Sequence, residues 1–257
     1  MKLYRLGKQA PTLKAKTLRI GDFLNLSVLP TPPAAFDWSM IKSKPLIYGM
    51  DGNDNYSDCV FASACHHVGT WSGNTGEELI ATEADALGAY GRFTGFSPSN
   101  PASDNGASMV LTATQWRTQQ IFNHTIAAFA SIDLKRLDLV AAAAYLFGGI
   151  WVGWQLPKAW QGANSWDVPS NGRSLSGDWA PGSWGGHATH MPAFSPRLLG
   201  IKTWQKDMPA TIPAFTTYAD EAYALISRDI WLQLTGDRCP AGVDGAALQA
   251  ALAKVTA

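Results

Sequence analysis

The sequence contains few cysteines and few charged residues. Three cysteines occur in 257 residues, and an odd number cannot pair completely into disulfides. Free thiols in a reducing compartment are therefore expected. Charged residues make up 16% of the chain, with 20 Lys and Arg residues against 20 Asp and Glu residues. Because these charges balance, the whole chain has no electrostatic attraction to nucleic acid, and we expect no nucleic-acid partner.

Membrane-directed segments are also missing. The longest apolar stretch, residues 139–150, contains a Gly-Gly pair and is too short to cross a bilayer. Residues 1–5 lack the apolar region of a secretory signal. We therefore expect no membrane partner and synthesis in the cytoplasm.

Sequence motifs for metals and phosphates are absent as well. No Cys-x₂-Cys or His-Glu-x-x-His spacing indicates a metal site. The glycine-rich residues 182–186 are not followed by the Lys-Ser or Lys-Thr pair of a phosphate-binding loop. We therefore expect no metal and no other cofactor. Tryptophan, by contrast, is abundant at eleven residues, which suits packing in the core or a groove for carbohydrate or peptide.

Composition divides the chain into an arm and a body. Residues 1–35 are predicted to form a basic, extended N-terminal arm, stiffened by prolines at its end. The basic residues of its first part are Lys2, Arg5, Lys8, Lys14, Lys16 and Arg19, against the single acid Asp22. Residues 1–22 fit a solvated tail, a segment that docks on the body, or a segment that binds an assembly partner.

The body has helical patterns first and strand patterns later, which predicts an α+β fold with two lobes. A helical lobe is expected over 36–147 and a β-rich lobe over 148–257. The predicted helices are 59–71, a second opened by the capping-box pair Thr75 and Glu78 through 90, a third from 104 or 105 to 119, 133–147 and 243–255. The predicted strands are 150–156, 187–194 and 198–204, and residues 218–230 fit either a helix or a strand. The long loop 160–186 is of a length that is often functional.

One cysteine and one histidine stand out as a candidate pair. Cys59 follows a polar turn and begins a small, apolar run, so it is expected at a helix N-terminus, where the helix dipole favours a thiolate. His187 is flanked by Gly186 and Ala188, which leave room for a substrate backbone. Both could equally be buried structural residues. Cys65 is expected in the core, and His190 on the opposite face of the strand from His187.

Several motifs over residues 33–230 together resemble the papain-like cysteine peptidases, in a compact form known from phages and bacteria. These motifs are Pro33–Trp38, Asp58–Ser63, Asp104–Ala107, Phe147–Val152, Gly186–Ala188 and Ile201–Trp204. The resemblance implies a two-lobed α+β fold and a Cys59–His187 pair that attacks an amide carbonyl. It also implies that Trp204 shields the pair from water, with Trp184 and Gly186 at the groove.

Two positions depart from the family pattern. The family's oxyanion donor is a glutamine about six residues before the nucleophile, whereas Asn55 lies four before Cys59 and has a shorter side chain. The asparagine that orients the histidine is replaced by Lys202 or Thr203. Thr203 can accept a hydrogen bond from an imidazole N–H, and Lys202 cannot.

Two functions follow from this pattern. The first is a thiol hydrolase that cleaves a peptide or isopeptide bond in a peptide or protein substrate. The alternative is a non-catalytic structural or binding protein on the same scaffold, with a degenerate site. A bacteriophage virion component, such as a decoration or tail protein, would suit the alternative, with residues 1–22 holding assembly partners.

Overall fold

The structure is a computed structural model that describes residues 4–11, 17–22, 24, 26–27, 31–170 and 174–228. The predicted helix 243–255 and the third cysteine, Cys239, lie outside the described residues. Within them, no helix is long and apolar enough to cross a membrane.

The described residues contain five α-helices. They are α1 (Cys59–Asn74), α2 (Glu83–Thr94), α3 (Met109–Trp116), α4 (Leu137–Leu146) and α5 (Ile212–Tyr218). Helix α1 begins at Cys59, as the change from polar to apolar residues predicts. Helices α3 and α4 each begin about four residues after their predicted starts, α3 because the side chain of Ser108 accepts a hydrogen bond from the Leu111 N–H and caps the helix there.

The predicted start of the second helix is wrong. Thr75 instead ends α1, because its hydroxyl donates to the carbonyl of Trp71 at 2.9 Å. The Glu78 carboxylate accepts the backbone N–H of Ile47 at 2.9 Å, so it is not available to cap a helix. The capping box of α2 is formed by Thr82 and Asp85, seven residues later in the chain.

Nine short strands surround these helices. They are β1 (Phe36–Asp37), β2 (Met40–Ile41), β3 (Lys44–Pro45), β4 (Ile126–Ser131), β5 (Ile150–Leu156), β6 (Gly185–Phe194), β7 (Leu198–Thr203), β8 (Lys206–Thr211) and β9 (Ala219–Ser227), all within the described part of the chain. Strands β2 and β3 form a small hairpin. The other strands form one antiparallel sheet in the order β4-β9-β5-β6-β7-β8, with β1 paired to β6.

The α+β prediction is confirmed, and so are the three strands predicted between residues 150 and 204. Residues 219–227 form strand β9, so the segment for which both a helix and a strand were predicted is a strand. Strand β8 and helix α5 were not anticipated. Strand β8 carries Pro209, which weakens a strand pattern and is tolerated because β8 lies at the edge of the sheet.

Helix α1 passes through the centre of the molecule. Every residue from Cys59 to Gly73 is buried, and the helix packs against β6. Ser63 is accommodated in this apolar helix because its hydroxyl donates to the Cys59 carbonyl at 2.6 Å and accepts from the Trp151 indole at 2.7 Å. The first turn of α1 is thereby tied to strand β5, which fixes the position of the Cys59 main chain.

Candidate active site

Cys59 is the first residue of α1 and is fully buried. Burial raises the pKa of its thiol to about 11, although hydrogen bonds from the backbone amides of Ala188 and Gly7 act in the opposite direction. The sulfur therefore contacts strand β6 on one side and the N-terminal arm on the other. In this conformation the thiol is protonated and sealed from solvent.

His187 lies on β6 and is also fully buried. Its Nε2 atom lies 2.7 Å from the hydroxyl oxygen of Thr203. Its Nδ1 atom has no hydrogen-bond partner among the described residues. Burial, followed by the electrostatic effects of His66 and Lys8, lowers the pKa of the imidazole to about 3. The ring is therefore neutral. Its Nε2 atom has a hydrogen-bond partner, and its Nδ1 atom has none among the described residues.

The candidate nucleophile and the candidate base lie on two elements that pack together. The Cys59 sulfur accepts a hydrogen bond from the amide of Ala188, the residue that follows His187 on β6. Burial keeps both groups neutral, since it raises one pKa and lowers the other. The amide of Ala188 thus holds the strand that carries His187 against Cys59, and no thiolate–imidazolium pair forms in this conformation.

Trp204 covers the imidazole. Its ring stacks on His187 with 4.3 Å between centroids and 18° between planes. Trp204 lies in the β7–β8 turn with a φ of 49°, a left-handed conformation that is rare for a bulky residue and costs energy. The turn directs the indole back over β6. Trp184, half-buried, packs beside Trp204 at 5.6 Å between centroids.

Of the two residues left open for orienting the histidine, the structure brings Thr203 to His187. Lys202 points to the other face of β7, where its ammonium binds Asp207 and lies over the Tyr48 ring at 5.4 Å. Lys202 is paired with His190 in the β6–β7 register. The alternation of side chains along a strand accounts for this difference between two consecutive residues.

The N-terminal arm occupies the cleft between α1 and β6. Gly7 accepts a hydrogen bond from the Ala107 N–H at 2.8 Å, and Lys8 donates to the Gly186 carbonyl at 3.1 Å. Tyr4 stacks on Trp204 with 4.6 Å between centroids. Among the options for the arm, docking on the body is the one that the structure shows for these residues.

The arm approaches the cleft walls more closely than a side chain would permit. A Cβ atom on Gly7 would come within 1.8 Å of the Ser57 carbonyl oxygen, and one on Gly186 within 2.1 Å of the Lys8 carbonyl oxygen. Gly186 therefore lies directly against the arm, and its lack of a side chain admits the arm. The sequence alone did not indicate that the chain fills its own cleft.

Solved structures of cysteine proteases share this architecture, whereas no family model and no curated protein sequence matches the chain. Xylellain, a cysteine protease of Xylella fastidiosa, superposes with a TM-score of 0.64 at 11% identity over 89% of this chain and 99% of its own. A procathepsin B of Trypanosoma congolense gives a TM-score of 0.59 at 9% identity, with 87% and 86% covered. The cysteine protease and lectin-like domains of Cwp84, a surface-layer-associated protein of Clostridium difficile, give 0.54 at 11% identity, with 88% and 57% covered.

The fold is papain-like. At these identities the likeness is one of fold.

One predicted residue of the papain-like site is misplaced. Asn55 is exposed, which does not suit a donor to a carbonyl in a sealed cleft. Asn53 is 2% exposed, and its amide donates to the Asp58 carboxylate at 3.2 Å. Asn53 lies six residues before Cys59, which is the family's own spacing between the oxyanion donor and the nucleophile. That spacing was the feature of the sequence that indicated Asn53. Asn53 replaces Asn55 as the candidate oxyanion donor.

Proposed function

We propose that the chain is a papain-like thiol hydrolase that cleaves a peptide or isopeptide bond through Cys59 and His187. The observation that carries the proposal is the state of the imidazole. Its Nε2 atom is held by Thr203 at 2.7 Å, and its buried Nδ1 atom has no partner among the described residues. A neutral imidazole that donates from Nε2 has a free lone pair on Nδ1, which is what a proton acceptor for a thiol requires.

In the proposed reaction the Cys59 thiol gives its proton to Nδ1 of His187, and the sulfur bonds to the carbonyl carbon of the substrate. The C–N bond then breaks, and the imidazolium returns the proton to the departing amine. Water, deprotonated by His187, hydrolyses the resulting thioester and restores the thiol. The backbone N–H of Cys59, in the first turn of α1, and the amide of Asn53 stabilise the negative oxygen of the intermediate.

The docked arm makes this conformation a blocked one. It seals the sulfur, and burial is the largest cause of the raised pKa of the Cys59 thiol. When the arm leaves, solvent reaches the sulfur, and the N-terminus of α1 then favours the thiolate. Reaction with a substrate therefore requires release of residues 4–9.

The same observations also support a second candidate, a non-catalytic binding protein. A cleft filled by the chain's own backbone, above a thiol of raised pKa, suits a scaffold that no longer turns over substrate. An assembly role for residues 1–22 and a virion location stay predictions. Docking of residues 4–9 on the body would have to be undone before they could hold a partner.

Iodoacetamide labelling across pH tests the proposal in the full chain. Lys8→Glu is expected to expel the arm, because Lys8 is buried against Asp220 and Glu221. Lys44→Glu, at a side chain that is 76% exposed, is the matched control. In the Lys8→Glu chain we expect rapid labelling of Cys59 below a pH of about 8.5, the usual thiol pKa, located by peptide mass and lost in Cys59→Ser. Labelling no faster than that of free cysteine would favour the binding protein.

A further inference from the structure

The arm carries a lysine into a closed acidic pocket beside the cleft. The Lys8 side chain is fully buried, and its ammonium lies 2.9 Å from the Asp220 carboxylate and 3.0 Å from the Glu221 carboxylate. It also donates to the carbonyl of Gln9 at 3.1 Å. The three N–H donors of an ammonium therefore meet three acceptors, which leaves no unsatisfied donor in the pocket.

The walls of the pocket are shaped and held for this side chain. Tyr223 donates to the second oxygen of Glu221 at 2.7 Å, and Gln155 donates to Asp220 at 2.5 Å. Gly153 provides the passage for the alkyl stem, since a Cβ there would come within 2.8 Å of the Lys8 side chain and 2.6 Å of Glu221. These residues lie on the neighbouring strands β5 and β9, so the pocket is part of the sheet.

The charge of the pocket requires a cation. Two adjacent carboxylates, one on a residue that is only 7% exposed, repel each other, and burial disfavours their charged form. Burial raises the pKa of Glu221 while Lys8 lowers it, as expected where a cation compensates. The chain as a whole has no net charge, so this concentration of negative charge is local.

The pocket lies next to the candidate nucleophile. The amide of Gly7 contacts the Cys59 sulfur, and Lys8 is the next residue. The main-chain contacts on either side, from Ala107 and to Gly186, use backbone groups and do not read the side chain at the position of Lys8. The side-chain pocket is therefore what selects the residue at this position.

We infer that the pocket formed by Gly153, Gln155, Asp220, Glu221 and Tyr223 is a lysine-selective subsite for the substrate peptide, and that Lys8 occupies it as an internal substitute. This inference rests on the proposed function, because it treats the cleft as a peptide-binding one. Acetyl-lysine has no positive charge, so a substrate with acetyl-lysine at this position does not compensate the two carboxylates and is not expected to bind in the pocket. Arginine, with five donors in a planar fork, has more donors than the acceptors placed here.

Peptide binding to the full-length chain tests the inference. The protein carries Lys8→Glu to empty the pocket and Cys59→Ser to keep bound peptide intact. The probes are fluorescent peptides with the sequence of residues 4–11, in which the lysine is kept or replaced by norleucine, acetyl-lysine or arginine. Fluorescence anisotropy is expected to show about tenfold to a hundredfold tighter binding of the lysine peptide than of the norleucine peptide.

Two further variants locate the preference. Glu221→Gln in the same background is expected to reduce the lysine preference to below about threefold, while Glu77→Gln, at an exposed carboxylate, leaves it unchanged. Lys8→Ala, which empties the pocket without adding a charge, is the second background if Lys8→Glu does not fold. Equal binding of the lysine and norleucine peptides, or a preference that survives Glu221→Gln, would overturn the inference.

Cleavage of the same peptides by the Lys8→Glu chain with Cys59 intact, followed by mass spectrometry, separates the two proposals. Lysine-selective binding without cleavage of any peptide overturns the hydrolase and supports the pocket as a recognition site. Cleavage without lysine preference overturns the pocket and supports the hydrolase.

Discussion

Two histidines three residues apart on strand β6 have the same burial and different surroundings. His187 and His190 are both 0% exposed, and burial lowers the pKa of each. His190 is sealed by helix α1, where its Nε2 atom lies 2.6 Å from the Thr70 hydroxyl and its ring lies 3.9 Å from that of His67. On the side of His187, Trp204 stacks on the ring, and the arm closes the cleft outside it. The arm is held by the ion pairs of Lys8, the stacking of Tyr4 on Trp204 and a few backbone hydrogen bonds.

On the proposed function, burial alone does not separate the catalytic imidazole from the structural one. The difference lies in what covers the ring. A segment attached by few contacts can leave at a cost of local opening, whereas a central helix leaves only when the protein unfolds. Substitution of the two histidines should therefore have different effects on reaction rate and on stability. Both histidines should contribute in the same direction to the loss of stability at low pH.

The largest expected difference is in reaction rate. In the Lys8→Glu chain, His187→Ala should lower the rate of lysine-peptide cleavage by about 10³-fold, since it removes the general base. His190→Ala should change the rate by less than about tenfold in chains that remain folded, because Thr70 and His67 separate it from the cleft. Initial rates at saturating and limiting peptide measure both. Equal losses for the two variants would contradict the assignment of His187 as the base.

The second difference is in stability. His190→Ala leaves a cavity between α1 and β6 and removes one of the two side-chain hydrogen bonds of the Thr70 hydroxyl, which keeps its bond to Tyr48. The free energy of unfolding should therefore fall by about 3 kcal/mol. Urea unfolding followed by tryptophan fluorescence measures this loss. His124→Ala, at a half-buried ring, is the control and should cost about 1 kcal/mol or less. A loss for His190→Ala no greater than that of the control would show that the α1–β6 contact does not depend on this ring.

Local patterns in the sequence predicted the parts of the site that a single element determines. Cys59 begins a helix because polar residues give way to small apolar ones, and His187 lies on a strand with glycine before it. The choice between Lys202 and Thr203 depended on which of the two side chains lies on the same face of the sheet as His187, and that is set by the register of β6 and β7. The ion pairs of Lys8 with Asp220 and Glu221 join residues 212 and 213 positions apart, and no local pattern reports such a contact.

The helices were predicted less well at their ends than in their centres. Thr75 and Glu78 have the spacing of a capping box, and so do Thr82 and Asp85, which form one. The choice between them was made by a tertiary contact of Glu78 with the backbone N–H of Ile47, which follows the β2–β3 hairpin. Tertiary contacts likewise decided that the proline-bearing residues 206–211 form an edge strand.

The third prediction concerns the residue that holds His187 in place. Thr203→Val keeps the shape of the side chain and removes the hydroxyl that binds Nε2. In the Lys8→Glu chain, kcat should fall by about 30-fold with KM little changed, because an unpaired and mobile imidazole is a poorer base. Thr203→Ser should restore most of the rate, whereas Lys202→Met should lower it by less than about threefold, since its side chain lies on the other face of β7. A Thr203→Ser chain as slow as Thr203→Val would exclude this positioning role.

The smallest expected effect is the pH dependence of stability. The folded-state pKa values of His187 and His190 lie below the ordinary value of 6.5. The unfolded chain therefore binds more protons than the folded chain below about pH 6.5, and each histidine contributes up to about 1.4 kcal/mol of lost stability per pH unit as the pH falls. The raised pKa values of Asp58 and Glu221 act in the opposite direction, so the test is a difference between variants. His190→Gln should reduce the acid-side slope of urea stability by about this amount.

Release of the arm should make the pKa values of His187 and His190 differ. In the Lys8→Glu chain, His187 loses part of its cover and the repulsion of the Lys8 ammonium, so its pKa should rise toward 6.5. Burial lowers the pKa of His190 most, followed by His67, His66 and Lys202. Helix α1 and these residues remain in place, so the pKa of His190 should stay low. NMR titration of the imidazole carbon-bound protons, assigned with His187→Gln and His190→Gln, measures both. Two histidines that shift together would show that the arm and helix α1 cover the strand as one unit, and the distinction between a detachable and a permanent cover would fail.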